Sequence, residues 1–309
     1  MQCEDQCSAR CSDHQVEPLA GTAKKEKRLV VLEFPGGWSR DVLDGGTFGE
    51  ELTAAIKKKL AEAGAGLQLV RKPGRKGRTV DALHVYVVDT RAATCVGTTI
   101  AQVSDLLELD LAGAESSPRF APVTHPLLLV CAHAKRDACC AIKGRPLARE
   151  LDDSFGGEVV WETSHMKGHR FAPTSLLLPW GYSFGRTSVA DAARITERAV
   201  HGVYSVLGNR GRGTYGPTGQ VAELAVAAQL EEQGETVHWG ELVVRPVEDA
   251  PAGEADSGGE PEAWERVEHR DGRAWLVGLS SRRVEGVVAS CGTLPKQGTV
   301  WEAVRVEKD

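Results

Sequence analysis

Short apolar runs closed by glycine and proline mark strands in this chain, and apolar residues spaced four apart mark helices. The run KRLVVLEF at 27–34 stops at Pro35, Gly36 and Gly37, which predicts a buried strand. Phe48, Leu52, Ile56 and Leu60 follow at a spacing of four between Thr47 and Gly64, which predicts a capped amphipathic helix over 47–64. LQLVRK and ALHVYVVD then read as two strands around the basic turn RKPGRKGR at 71–78, taken as a solvated hairpin tip with an acidic docking partner as the alternative.

The middle of the chain repeats this order. HPLLLVCA at 125–132 predicts a buried strand, GRPLARELDDSF a short helix, and GEVVWETSH a second strand. TSLLLPWGYSFGR offers two short strands, and SVADAARITERAVHGVYSVLG a long helix. Strand, helix, strand, strand pair, helix is a thioredoxin-like α/β order, and the preceding region reads as a related, degenerate copy. GNRGRGTYG at 208–216 reads as a loop. Beyond it lie an Ala-rich helix and several strands that form a small α+β module without visible chemistry, with a tight turn at Asp271-Gly272.

The expected division is therefore a flexible arm at 1–27, an N-terminal α/β region at 28–112, a thioredoxin-like domain at 113–208 and the α+β module at 209–309. Within the last, the Pro-, Gly- and acid-rich segment 248–263 is expected to be disordered.

Charge removes some function classes. The 309 residues carry 37 Lys+Arg against 43 Asp+Glu, a formal charge of -6, which leaves no global footprint for nucleic acid or an anionic membrane. No apolar run approaches the ~18 residues of a membrane helix. The amino terminus, MQCEDQCSARCSD, is acidic and Cys-bearing and unlike a signal peptide, so a cytoplasmic protein with reduced thiols is expected. Clustered cysteines in that setting point to metal or redox chemistry.

That chemistry concentrates in VCAHAKRDACCAIKG at 130–144 and TSHMKGHRF at 163–171. Cys131 closes one strand, and Cys140 follows after eight residues. His165 and His169, four apart, follow another strand. Residues beyond the carboxyl ends of neighbouring strands share a rim, so two thiols and two imidazoles can meet there as a complete ligand set for zinc or an iron-sulfur centre. Zinc sites usually draw on C-x2-4-C knuckles, so a loop of eight suits a larger [2Fe-2S] cluster better. A Rieske pattern is incomplete, because Cys131-Ala132-His133 lacks its second half.

Cys131-x8-Cys140 with His165-Met166-Lys167-Gly168-His169 resembles the C-x8-C and H-x-G-G-H signature of the bis-histidinyl thioredoxin-like ferredoxins, the sucrase/ferredoxin-like family. HRFAPTSLLLPWGYSFGR is similar to the segment that follows there, and the resemblance spans about 28–235. It implies an electron-transfer protein with one [2Fe-2S] cluster, held by Cys131 and Cys140 on one iron and by His165 and His169 on the other. It further implies electron uptake coupled to a proton on a histidine ligand, an unknown redox partner protein, and a carrier rather than a catalyst with its own substrate. Lys167 departs from the signature where its first glycine stands, and Cys139 competes with Cys140 as a ligand.

The competing classes are a thioredoxin-type thiol oxidoreductase using Cys131 with Cys139 or Cys140, and a zinc-stabilised binding module. His133 and Arg136 are read as the loop around the cluster, or as hydrogen-bond donors to its sulfurs. Cys3, Cys7 and Cys11 are read as a reactive, unstructured arm, or as a second metal site or redox relay. Cys95 and Cys291 are read as structural, and Trp161 and Trp180 as core.

Overall fold

The computed structural model describes residues 9–247 and 261–309. Its first half comprises β1 (Arg28–Glu33), α1 (Glu50–Glu62), β2 (Gly66–Arg71), β3 (Leu83–Asp89), β4 (Thr94–Ile100) and the short β5 (Ala121–Pro122). The second comprises β6 (Leu127–Cys131), α2 (Ala138–Phe155), β7 (Val160–Thr163), β8 (Thr174–Leu178), β9 (Tyr182–Gly185), α3 (Val189–Val200) and β10 (Asn209–Arg212). All these strands form one ten-stranded sheet in the order β10-β9-β8-β6-β7-β2-β1-β3-β4-β5.

Both halves use the same wiring. β1 pairs parallel with β2 and antiparallel with β3, and β6 pairs parallel with β7 and antiparallel with β8. β3 and β8 in turn pair antiparallel with β4 and β9. This is the thioredoxin-like strand order, present twice and back to back. The halves join where β2 meets β7 antiparallel at Val70 with Thr163 and Arg71 with Glu162. Buried Gln68 secures that seam by donating to Thr163 Oγ1 at 3.0 Å and to the Ser164 carbonyl at 2.9 Å. The chain that leaves this seam carries His165.

After α4 (Pro217–Glu232), β11 (Leu242–Pro246), β12 (Ala263–His269), β13 (Ala274–Val287) and β14 (Lys296–Lys308) form a separate four-stranded antiparallel sheet. Val221 and Leu230 of α4 join Leu147, Leu177 and Ile195 on one side with Val267, Trp275 and Val277 on the other in a single apolar core. Trp161 and Trp180 are packing residues. Trp161 is buried beside Tyr86, and Trp180 stacks on Trp239 at 5.5 Å.

Several elements differ from expectation. The first helix begins at Glu50 after Gly49, because Thr47 Oγ1 is occupied by the N–H and hydroxyl of Ser39. α2 begins six residues before the expected helix and runs through Pro146. GNRGR holds an edge strand, β10, whose Arg210 and Arg212 are both buried. The chain from residue 9 onward, expected as part of a flexible arm, is held in place: Cys11 is buried, and Glu17 accepts from Arg170 Nη2 at 3.1 Å. Cys3, Cys7 and most of 248–263, at 248–260, lie outside the described residues.

Candidate metal centre

Cys131 is the last residue of β6, a strand buried along its whole length. Asp137 then caps α2, its carboxylate accepting from the Cys139 N–H at 2.9 Å. Cys139 and Cys140 thus sit in the first turn. Successive helical residues point about 100° apart, so these neighbours face different ways. The Cys140 sulfur joins Cys131 and His165, with ligand atoms within 4.8 Å of one another. The Cys139 sulfur joins Cys11 and Cys291 instead.

His165 and His169 flank a tight loop, and their ring centroids lie 5.2 Å apart. Lys167 adopts φ +66° and Gly168 φ +87°, both left-handed. The loop thus takes a conformation suited to glycine with an exposed lysine in place. Gly168 has no alternative, because a Cβ there would fall 2.4 Å from the buried Arg210 guanidinium. Lys167→Gly is expected to raise stability by about 0.5–1 kcal/mol by removing the left-handed penalty, a rise that thermal denaturation will read.

Nδ1 of His165 and Nδ1 of His169 are buried without a hydrogen-bond partner. His169 Nε2 is engaged, 2.8 Å from Ser290 Oγ and 3.6 Å from Asp137 Oδ2. His133, nearly buried, accepts the His165 N–H on its Nδ1 at 3.2 Å and so fixes the start of the loop. Arg136 is exposed.

Protonation favours ligand behaviour. A hydrogen bond from Cys140 holds the Cys131 thiol well below its ordinary value, with burial opposing and His165 assisting. The Cys140 thiol is pushed up by that same hydrogen bond and by burial. Burial lowers His169 and His133, which disfavours their charged forms. Two buried thiols, one favoured as thiolate, with the imidazole of His165 form a donor set that fits iron or zinc, and His169 lies outside that group with its ring 5.2 Å from that of His165.

A second group lies beside the first. The sulfurs of Cys11, Cys139 and Cys291 and the carboxylate of Asp137 also lie within 4.8 Å of one another. Two expectations change here: Cys11 is not in an unstructured arm, and the C-terminal module contributes Ser290 and Cys291 to the site region. Asp137 had a local signal, an acid just before a helix start. Ser290 and Cys291 had none, because a loop after β13 brings them back across more than a hundred residues.

A cavity of about 840 Å³ lies between the basic turn and α2. Arg71, Arg75, Arg78, Arg145 and Arg149 all line it, so the turn is one wall of an arginine-rich groove. Arg71 stacks on Trp38 at 4.4 Å, and Trp38 meets His133 edge-on at 5.6 Å. No helix among the described residues is long and apolar enough to cross a membrane.

The fold and this thiol-imidazole site define a mixed α/β protein of thioredoxin-like strand order with a candidate metal centre at its strand rim. The sucrase/ferredoxin-like family matches residues 19–213, more than half of the chain, and the protein belongs to that family. No curated protein and no solved structure matches the chain.

Proposed function

We propose that the protein is a one-electron carrier that holds a single [2Fe-2S] cluster, with Cys131 and Cys140 on one iron and His165 and His169 on the other. The observation that supports it most is the convergence of two buried thiols, Cys131 and Cys140, with His165, whose Nδ1 is buried and unpartnered, while the ring of His169, with its own unpartnered Nδ1, stands 5.2 Å from that of His165. When bound, the cluster supplies reversible one-electron exchange, and neutral imidazoles in place of two thiolates make it less negative and easier to reduce. The chain does the rest. β6 and α2 fix the sulfurs, His133 orients the histidine loop, and Ser290 with Asp137 holds the Nε2 side of His169. Electron uptake is coupled in this reading to a proton on a histidine ligand, so the potential falls as pH rises.

The test is the iron and sulfide content and visible spectrum of protein purified without oxygen. Two irons and two sulfides per chain are expected from the cluster stoichiometry, and His165→Ala or Cys140→Ala should each change the spectrum and lower the iron. A colourless protein after anaerobic reconstitution overturns the reading and favours a zinc module or a thiol enzyme.

The arginine groove suits an acidic redox protein as partner, since Ala141 and Ile142 on its wall directly follow Cys140. Arg145→Glu with Arg149→Glu is expected to slow electron exchange with an acidic flavodoxin roughly tenfold at low ionic strength and little at ~0.5 M salt. Stopped-flow rates against salt check it; an equal loss at both salts counts against charge-guided docking.

A further inference from the structure

We propose that Cys11, Cys139, Cys291 and Asp137 bind a single zinc ion, at a site separate from Cys131, Cys140 and the two histidines. Three segments far apart in sequence deliver these sulfurs to one point. Cys11 and Cys139 are 3.5 Å apart, Cys139 and Cys291 3.3 Å, and Cys291 and Cys11 3.6 Å. Asp137 Oδ1 lies 3.2 Å from the Cys291 sulfur and 3.9 Å from that of Cys11, and its Oδ2 lies 3.8 Å from Cys11.

The distances select the chemistry. All three separations far exceed the ~2.05 Å of a disulfide, and three thiols cannot all be paired as disulfides. A tetrahedral zinc with sulfurs at ~2.3 Å and oxygen at ~2.0 Å puts its sulfurs ~3.8 Å from one another and ~3.5 Å from the oxygen. The sulfur–sulfur edges of 3.3–3.6 Å fall about 0.2–0.5 Å short of that value, so a bound ion would spread the sulfurs slightly, and the sulfur–oxygen distances of 3.2–3.9 Å lie on either side of theirs. A polynuclear cluster would spread its ligands over several irons, whereas here every sulfur touches the other two. Cys11 and Cys139 are fully buried, and Cys291 partly so. Three thiolates and a carboxylate are donors that a thiophilic divalent ion neutralises.

Cys11 and Cys291 lie outside the 19–213 family match and Asp137 and Cys139 within it, so the site joins the matched region to both flanking segments. Its structural effect follows from what it ties together: the N-terminal segment, the first turn of α2 and the loop that carries Ser290 to His169. The inference does not depend on the electron-carrier reading, because zinc content reports one site and iron with sulfide the other.

The test is elemental analysis of the full-length protein, purified anaerobically under reducing conditions and without a metal-binding tag. About one zinc per chain is expected in the wild type, falling at least fivefold in Cys11→Ser and in Cys291→Ser while iron and the visible spectrum persist. The Cys140→Ser/His165→Ala variant should keep its zinc. Replacing zinc by Co²⁺ in that variant should give the intense thiolate-to-metal absorption of a tetrahedral site, lost on adding Cys291→Ser. Three results overturn the proposal: a wild type that holds no zinc and takes up neither Zn²⁺ nor Co²⁺, zinc that persists in both single-cysteine variants, or a disulfide between two of these cysteines in the reduced preparation.

Discussion

Gly144→Ala is expected to destabilise the protein by about 3 kcal/mol and to separate Cys140 from Cys131. Gly144 lies one helical turn after Cys140 on the buried stripe of α2, with Ala148 and Leu151 beyond it. A Cβ built there would lie 2.0 Å from the carbonyl oxygen of Cys131, less than two-thirds of an ordinary contact. That oxygen belongs to the backbone of a buried strand, so no side chain can swing aside. The helix itself would have to retreat by roughly 1 Å, taking the Cys140 sulfur with it. Alanine is the better helix former by about 1 kcal/mol, and the clash must exceed that gain. Thermal unfolding beside Ser154→Ala, an exposed site on the same helix, reads the stability, and iron content reads the site. A Gly144→Ala protein as stable as wild type, with full iron, would show that β6 and α2 tolerate separation and that close approach is not what sets the thiol pair.

The same helix shows how far sequence reaches. The meeting of Cys131, Cys140 and His165 was legible because Cys131 and His165 sit at or just beyond strand ends, where α/β folds gather chemistry, and Cys140 follows Cys131 closely in the chain. The repeated strand-helix-strand-strand order was legible for a similar reason: buried strands such as LVVLE and LLLVC carry their environment in their composition. β4 and β10 were not, since TCVGTTI and NRGR are polar or glycine-rich and become strands only by pairing with β3 and β9. The start of α2 was not legible: the expected helix opened at Gly144, six residues after the true start. Gly144 is required by the contact with Cys131, and Asp137 supplies the cap. The choice between Cys139 and Cys140 needed the helix phase, which depends on that start. Cys11, read with Cys3 and Cys7, and Cys291, which stood alone, lie 128 and 152 residues from Cys139, and only tertiary structure brings them beside it.

A second large effect is expected far from the cysteines, at Glu223 on α4. Its side chain is fully buried, and Oε1 accepts from the Tyr182 hydroxyl at 2.6 Å while Oε2 has no hydrogen-bond partner. Burial pushes its carboxyl up to about 7 from an ordinary 4.5, with the Arg212 charge and the Tyr182 hydrogen bond offsetting only part. Arg212 is itself directed at the carbonyls of Trp180 and Thr90, at 3.0 and 2.7 Å. Because the folded value is the higher one, the native state binds the proton more tightly than the unfolded chain. The resulting stability is complete below pH ~4.5 and is lost as pH rises through ~7, a swing of roughly 3 kcal/mol for one site. Glu223→Gln has no proton to lose and should remove this component. Urea unfolding of both proteins across that window is expected to show wild type losing about 3 kcal/mol relative to Glu223→Gln between the acid and neutral ends. A constant difference between the two would mean that Arg212 keeps Glu223 ionised throughout, and that the pair acts in the core as a buried ion pair rather than as a neutral acid beside a solvated-by-carbonyl guanidinium.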